Sequence, residues 1–283
     1  MAARDQAMEL LKACRVCPRK CGVDRTAGET GFCGMTDRLR VASAMPHFGE
    51  EAPLVGSAGS GTIFLSGCNL ACIFCQNYDI SHGRAGREIT GAQMVELMLG
   101  LQDRGCHNVN FVTPTHFAPQ LVDAIDAARS RGLHVPIVYN CGGYESVEML
   151  RLLEGYVDIY MPDAKYWDSH VSEELSAAPG YPDAMRDALK EMQRQVGELR
   201  IDNGIASRGL LVRHLVLPGG LSGSMAIIDF LAREISPRTY VNVMDQYRPC
   251  HEAHRHPILR QHPDVDFVRE LRRHARELGL RVD

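Results

Sequence analysis

Six short runs of β-branched, aromatic and aliphatic residues recur from residue 62 onward, and each ends in turn-forming or polar residues. They are TIFLSGC (62–68), NVNFVTPT (108–115), VPIVYNC (135–141), VDIYMPD (157–163), LLVRHLVLPG (210–219) and TYVNVMDQY (239–247). Segments 90–105, 119–132 and 146–155 place apolar residues three and four positions apart and end in glycine. This alternation predicts an α/β fold in which helices cover a parallel sheet, and the number of units favours a (βα)6 barrel-like sheet.

The segments outside these units suggest further organisation. The long connection 164–209 contains a helical stretch that begins near Tyr181-Pro182-Asp183. The chain after residue 250 reads as a loop and then an amphipathic helix near 264–278. We therefore predict three units. They are a cysteine-rich module at 1–45, a barrel at 46–250, and a C-terminal loop and helix at 251–283.

The charge balance and the hydropathy exclude several classes of partner. The 283 residues include 31 Lys and Arg against 35 Asp and Glu, a net charge of -4. Such a chain has no broad basic surface for nucleic acid or an anionic membrane, so we predict neither as a partner. We find no apolar run of about 18 residues and no secretory signal, and we expect a cytoplasmic protein.

The ten cysteines are unevenly distributed. Seven of them precede residue 76 and form two tight groups, Cys14, Cys17, Cys21 and Cys33, then Cys68, Cys72 and Cys75. Because the cytoplasm keeps thiols reduced, metal or iron–sulfur ligation explains them better than disulfides. Cys106, Cys141 and Cys250 are read as small buried hydrophobes.

The second group has the spacing Cys68-x3-Cys72-x2-Cys75 and directly follows the first predicted strand. A 4Fe-4S cluster usually takes four thiolates, so three closely spaced cysteines would leave one iron open to a small molecule. The alternatives are a structural zinc site, a ferredoxin-type cluster or simple burial. Zinc and ferredoxin sites both require four ligands, and no fourth cysteine lies nearby.

The first group has the spacing Cys14-x2-Cys17-x3-Cys21-x11-Cys33 within a glycine-rich segment that has little core of its own. Four thiolates at these spacings can enclose zinc or hold a second iron–sulfur cluster. Zinc would make the module structural. A cluster could pass electrons to the second group or bind a substrate.

The segment GCNLACIFC (67–75) resembles the signature of radical S-adenosylmethionine (SAM) enzymes. The resemblance implies a partial (βα)6 TIM-type barrel in which the open iron of a 4Fe-4S cluster binds SAM. One electron then splits SAM, and the 5′-deoxyadenosyl radical removes hydrogen from a substrate.

Further phrases resemble the pyruvate formate-lyase activating enzyme branch, in particular its PflX-like members. They include CRVCPRKCGVDRTAGETGFCG, HFGEE, PIVYNCGGYE, VDIYMPDAKY and NVMDQYRP.

The same resemblance implies residues that contact SAM. Phe74 matches the aromatic residue before the last cysteine of the signature. Thr113 and Thr115 lie where the family usually has a Gly-Gly-Glu stretch, although the acidic residue is missing here. Asp163 and Lys165 resemble an Asp-x-Lys pair near the ribose and carboxylate of SAM, and Asn140 replaces an Asp near a monovalent cation. A helix cap is the alternative role of Asp163.

Three functions stay open. The enzyme could install a glycyl radical on a protein partner, or it could be self-contained and modify a small molecule or peptide. Activating enzymes usually place extra cysteines after the signature, whereas this chain has them before it. The third reading is a non-catalytic iron–sulfur electron carrier. Either enzyme would need a one-electron donor such as flavodoxin or ferredoxin.

His116 and His214 are candidates for proton transfer or for structural hydrogen bonds.

Overall fold

The computed structural model describes residues 3–283, which form ten β-strands and ten α-helices. The strands are β1 (Leu39–His47), β2 (Ser60–Leu65), β3 (Arg87–Ile89), β4 (Val109–Val112), β5 (Ile137–Cys141), β6 (Ile159–Pro162), β7 (Arg200–Asp202), β8 (Ile205–Leu215), β9 (Tyr240–Met244) and β10 (Arg281–Val282). The helices are α1 (Ala3–Glu9), α2 (Ala52–Val55), α3 (Tyr78–Ser81), α4 (Gly91–Asp103), α5 (Ala118–Ser130), α6 (Val147–Leu152), α7 (Ser169–Ser176), α8 (Tyr181–Val196), α9 (Ser224–Phe230) and α10 (Val265–Glu277).

The sheet confirms the predicted fold class. Its order is β10-β9-β8-β6-β5-β4-β2-β1-β3, and β7 pairs with β8. The six predicted strands correspond to β2, β4, β5, β6, β8 and β9, which pair in parallel throughout. Within residues 3–283 the sheet ends at β3 and β10 and does not close, as expected of a partial barrel.

Local sequence signals fix the helices that cover the sheet. Thr90 and Gln93 form a capping box that starts α4, whose buried residues pack on the outer face of β2 and β4. Pro182 lies in the first turn of α8, and this helix ends at Gly197, where φ is +71°. Asp264 caps α10 by accepting from two backbone amides. The predicted helices at 90–105, 119–132 and 146–155 are therefore confirmed with slightly shorter bounds.

The inward faces of the central strands form two layers. The lower layer is apolar, and Leu54 of α2 closes it by packing against Val138, Ile159, Leu211 and Tyr240. Since side chains alternate along a strand, the residues two positions further on also point inward, toward the carboxyl ends of the strands. Those positions in β5, β8 and β9 and the residue directly after β6 form what we call the polar layer, Asn140, Asp163, Arg213 and Asn242.

Several elements differ from the prediction. Strand β1 precedes the predicted first strand and pairs with it antiparallel, and α7 and β7 were not predicted. Strand β8 begins at Ile205, where we expected a connection up to residue 209. The proposed limits of the three units stay a prediction, and β1 crosses the limit at residue 45. Among the described helices none is long and apolar enough to span a membrane.

Candidate functional site

The second cysteine group lies on a loop that follows β2 and rests against α7. We call residues 67–75 the triplet loop. The amides of Ala71 and Ile73 donate to the carbonyls of Ser176 and Leu175, at 2.9 and 3.0 Å. Gly67 has φ +81°, and a Cβ there would lie 2.9 Å from the carbonyl oxygen of Cys33. The loop is therefore held in its middle by α7, and only glycine fits at its first residue, where it meets the N-terminal segment.

The three thiols of the triplet loop share one environment. Cys72 Sγ accepts from Ser176 Oγ at 2.9 Å, Cys75 Sγ lies 3.1 Å from Ser81 Oγ, and Cys68 Sγ is 3.3 Å from the amide nitrogen of Leu70. Burial, followed by the neighbouring thiols, raises the pKa of Cys68. Burial also raises the pKa of Cys72, and the ammonium of Lys165 opposes that rise. A nearby cation therefore favours the thiolate form that metals bind.

The predicted residues Asn140, Asp163 and Lys165 are brought together by an arginine that the sequence analysis missed. Lys165 Nζ donates to Asp163 Oδ2 at 2.5 Å, and Arg213 Nε donates to Asp163 Oδ1 at 2.8 Å. Arg213 Nη2 donates to Asn140 Oδ1 at 2.7 Å. Asp163 accepts from two cations instead of capping a helix, and Lys165 continues this network toward the cysteines.

The charges in this network support one another. Burial alone would raise the pKa of Asp163, but Arg213 and Lys165 outweigh it and hold the pKa below its usual value. Burial lowers the pKa of Lys165, yet Asp163 and Cys72 reverse the shift and raise it. Both side chains are therefore charged near neutral pH, and Lys165 presents a cation beside the triplet loop.

Two acidic residues from the loop after β1 cover the polar layer. Glu50 lies 3.8 Å and Glu51 3.9 Å from guanidinium nitrogens of Arg213, and Asn242 Nδ2 donates to Glu51 at 3.2 Å. Burial, together with Glu51, raises the pKa of Glu50 to about 7 against the effect of Arg213. The sequence signal for Arg213 was a charge inside an otherwise apolar strand. Glu50 and Glu51 belong to the phrase HFGEE quoted above, but nothing in the sequence indicated their contact with Arg213.

The other three residues predicted to contact SAM lie around the triplet loop and the strand ends. Thr113 has φ +59°, a strained conformation for a β-branched residue, and its amide donates to the carbonyl of Asn140 at 2.8 Å. Thr115 is buried and donates to Glu145 at 2.6 Å. Phe74 packs edge-on against Tyr166 and Tyr247, with ring centroids 6.5 and 6.0 Å apart. Only Thr113 combines partial exposure with strain.

Glu145 is a further buried acid that the sequence analysis did not single out. It accepts from Thr115 and also from Tyr139 Oη at 3.1 Å. Burial raises its pKa to about 7, although these hydrogen bonds oppose the shift. The side chain therefore places a buried titratable carboxyl behind the strand ends, close to Cys17 of the N-terminal group.

The four N-terminal cysteines line one small cavity, which we call the N-terminal cavity. Its other walls are Val16, Arg19, Arg25, Gly31, Phe32, Asn69 and His116. Burial and the nearby Cys33 raise the pKa of Cys17 to about 12, although the Arg19 backbone opposes the shift. Asn69 follows Cys68 in the chain, so this cavity adjoins the triplet loop. The fold therefore brings the two predicted cysteine groups next to each other.

Two arginines of this wall lack an acidic partner. Arg25 is fully buried, and its guanidinium donates to the carbonyls of Thr36 and His116 at 2.6 Å each. Arg19 donates to the carbonyls of Asn69 and Ala177 at 2.6 Å each and stacks on Phe32. In the range 3–283 neither arginine forms an ion pair with a carboxylate. Arg25 is fully buried and Arg19 is half-buried, and cations in such surroundings without a counter-ion favour an anionic group in the cavity.

The donor sets consist of thiols, which both iron–sulfur clusters and zinc take as ligands. Among residues 3–283 no three His, Cys, Asp or Glu side chains converge closely enough to share one metal ion. The choice between zinc and a second iron–sulfur cluster at the N-terminal cysteines stays a prediction.

The remaining candidates have structural surroundings. His214 is buried, with Nδ1 2.6 Å from the carbonyl oxygen of Ala164 and Nε2 2.8 Å from Ser224 Oγ. Both ring nitrogens are thus occupied, which favours the structural alternative. Cys106 and Cys141 are buried as expected, while Cys250 is partly exposed.

Comparison with known proteins agrees with this geometry. A family model described as the radical SAM superfamily matches residues 62–218. The chain is 32% identical to an uncharacterised protein of Methanocaldococcus jannaschii, over 97% of this chain and 77% of that protein. It is 29% identical to the pyruvate formate-lyase-activating enzyme of Clostridium pasteurianum, over 43% of this chain and 52% of that enzyme.

A solved structure supports the fold. The structure of Streptococcus suis SuiB bound to S-adenosylmethionine aligns with a TM-score of 0.52 and 17% identity, covering 77% of this chain and 48% of that one. At this identity the likeness shows a shared fold. The chain therefore matches about half the length of both SuiB and the Clostridium enzyme.

Proposed function

Because the chain belongs to the radical SAM superfamily, we propose that it reductively cleaves SAM at a 4Fe-4S cluster bound by Cys68, Cys72 and Cys75 and abstracts hydrogen from a substrate. The observation that supports this most is the set of three thiols on one fixed loop beside the charged Lys165. When bound, the cluster and SAM would supply one electron and a carbon-centred radical.

The residues of the chain would bind and orient SAM. The ammonium of Lys165 is suited to the carboxylate of SAM, and Asp163 keeps that ammonium charged and in place. The strained backbone at Thr113 exposes polar groups at the end of β4. Phe74 and its two tyrosine neighbours would exclude water from one side of the triplet loop.

We also propose a second iron–sulfur centre in the N-terminal cavity. Four cysteines line this cavity, and two arginines without carboxylate partners among residues 3–283 provide positive charge. The centre would relay electrons from a donor such as flavodoxin or ferredoxin to the cluster at the triplet loop. The two sites are adjacent, because the wall of the N-terminal cavity includes Asn69 of that loop.

Two substrates follow from different observations. The similarity to the Clostridium pasteurianum enzyme favours a glycyl-radical protein as the acceptor. Glu50 and Glu51, which cover the polar layer beside Arg213, favour a small polar molecule inside the barrel. A screen of both classes for transfer of deuterium from labelled substrate into 5′-deoxyadenosine would distinguish them.

The test of the proposed function is anaerobic reconstitution with iron and sulfide, reduction, and measurement of 5′-deoxyadenosine formed from SAM. We expect product from the wild-type chain and none from a variant in which Cys68, Cys72 and Cys75 are all replaced by Ala. The matched control replaces Cys106, Cys141 and Cys250 by Ala and should retain cleavage. A loaded cluster that neither cleaves nor binds SAM would instead identify an electron carrier.

A further inference from the structure

His116, one of the residues that line the N-terminal cavity, has a buried ring nitrogen without a partner among residues 3–283. His116 is 2% exposed, and its Nε2 lies 2.8 Å from the carbonyl oxygen of Ser66. Within residues 3–283 its Nδ1 is buried without a hydrogen bond. A carbonyl oxygen can only accept, so Nε2 holds the hydrogen and the lone pair of the neutral ring lies on Nδ1.

This arrangement is typical of a metal-binding histidine. Such a residue usually donates its other ring N–H to a backbone carbonyl or carboxylate, which fixes the tautomer and the ring orientation. His214 is an internal contrast, because it is equally buried but both of its nitrogens have partners. Of these two histidines, only His116 has a ring nitrogen without a hydrogen-bond partner, and only His116 lines the cavity of the four cysteines.

The backbone around His116 is also fixed. The guanidinium of Arg25 donates to the His116 carbonyl, and the ring packs at 4.4 Å from that of Phe117. The 3₁₀ turn Thr115–Phe117, which contains His116, directly precedes α5. A ring held in this way is pre-organised as a ligand, which reduces the entropy lost on binding.

We infer that His116 is a nitrogen ligand, through Nδ1, of the metal centre in the N-terminal cavity. This inference rests on the proposed presence of that centre. Four cysteines and one histidine exceed the four ligands of a 4Fe-4S cluster, so one cysteine is dispensable. Cys21 is the exposed member of the four, and we assign the ligand set to Cys14, Cys17, Cys33 and His116.

The assignment links the two cysteine groups. Ser66 lies two residues before Cys68, and its carbonyl accepts from the ring that would bind the N-terminal centre. Imidazole ligation raises the reduction potential of an iron–sulfur centre relative to an all-thiolate set, as in Rieske proteins. The N-terminal centre should therefore become reduced more readily than an all-cysteine cluster in the same cavity.

The experiment uses the full chain with Cys68, Cys72 and Cys75 replaced by Ala, so that only the N-terminal centre remains. After anaerobic reconstitution and reduction, pulsed electron paramagnetic resonance should show a strongly coupled nitrogen. In protein labelled with ¹⁵N-histidine the coupling should change to the ¹⁵N pattern, a readout that leaves His116 unmutated. The coupling should disappear in His116→Ala and persist in His214→Ala and Cys21→Ser.

The outcomes separate this inference from the proposed function. An iron centre at full occupancy without histidine coupling overturns the ligand assignment, while SAM cleavage by the wild-type chain can still succeed. If the bound metal is zinc, its X-ray absorption spectrum should show one nitrogen and three sulfurs, and four sulfurs would overturn the assignment. A cavity that binds neither metal overturns it as well. Failure of SAM cleavage alone leaves the nitrogen signal intact.

Discussion

The triplet loop and the N-terminal cavity are adjacent cysteine sites with different charge arrangements. The cation beside the triplet loop, Lys165, is already paired with Asp163 and belongs to a network that includes Arg213. The cations beside the N-terminal cavity, Arg19 and Arg25, donate only to backbone carbonyls among the hydrogen bonds of residues 3–283. A paired cation can turn toward an incoming carboxylate. Arg25 is fully buried and Arg19 half-buried, and an anionic centre in the cavity would give both of them a counter-charge.

The two sites also differ in the number of ligands that they offer to a metal centre. The triplet loop supplies three thiols, which leaves one iron of a cluster for SAM. The N-terminal cavity supplies four thiols and the free nitrogen of His116, which is more than a complete set. Under the proposed function, we therefore expect a small molecule to exchange at the first site and the second site to be closed by its own ligands.

The largest expected effect is the loss of SAM cleavage, and two matched substitutions test which of the two sites it depends on. Cys72 and Cys17 are each 8% exposed, so Cys72→Ala and Cys17→Ala create similar cavities. Each variant should lose about four irons. With a chemical reductant, only Cys72→Ala should lose SAM cleavage completely. Iron analysis and 5′-deoxyadenosine measurement would test this, and equal loss of cleavage in both variants would contradict the division of roles.

An intermediate effect is expected at the cation of the triplet loop. Lys165→Met should weaken SAM binding about 10- to 100-fold, the equivalent of roughly 1.5–3 kcal/mol for a hydrogen bond to a charged group. The control is Lys190→Met, which removes an exposed 2.7 Å pair with Glu234 and should change affinity little. Calorimetric titration of the loaded protein with SAM measures both. An unchanged affinity in Lys165→Met would remove Lys165 from the SAM site.

The last effect concerns the pH dependence of stability rather than SAM binding, at Glu145, which lies close to Cys17 of the N-terminal group. The pKa of buried Glu145 is raised to about 7, so its contribution to stability is complete below its unfolded value near 4.5 and is lost as pH rises through about 7. Glu145→Gln cannot ionise, so its melting temperature should rise relative to wild type as pH increases from 5 to 8. The full difference is on the order of 3 kcal/mol.

The matched control for that substitution is Glu154→Gln. Glu154 is an exposed acid whose pKa is lowered by a hydrogen bond from Arg194. Glu154→Gln should therefore lower the melting temperature slightly, whereas Glu145→Gln should raise it. Anaerobic melting curves at several pH values measure both variants. A pH-independent difference for Glu145→Gln would show that water reaches the carboxyl and that burial does not raise its pKa.

The sequence predicted the parts of the fold that local patterns encode. Periodicity located the six parallel strands and the main covering helices, and cysteine spacing separated the two groups. Strand β1 was missed because its burial does not alternate regularly and its pairing with β2 is antiparallel. Glu50 and Glu51 were missed for the same reason, since only that pairing brings their loop over Arg213.

His116 also shows that a local sequence pattern does not predict contacts between distant segments. The sequence placed it after a strand and left a structural or a proton-transfer role open. Its tautomer depends on the carbonyl of Ser66, 50 residues earlier in the chain, and its neighbours include cysteines from the N-terminal segment. Such contacts between distant segments are not encoded in any local pattern.

The most direct test of the account is the electron paramagnetic resonance spectrum of the reduced wild-type protein, recorded with and without SAM. We predict two cluster signals, of which SAM changes only the one that is absent when Cys68, Cys72 and Cys75 are replaced by Ala. A SAM-dependent change in the signal that survives in that variant would contradict the central claim that the triplet loop has the open iron.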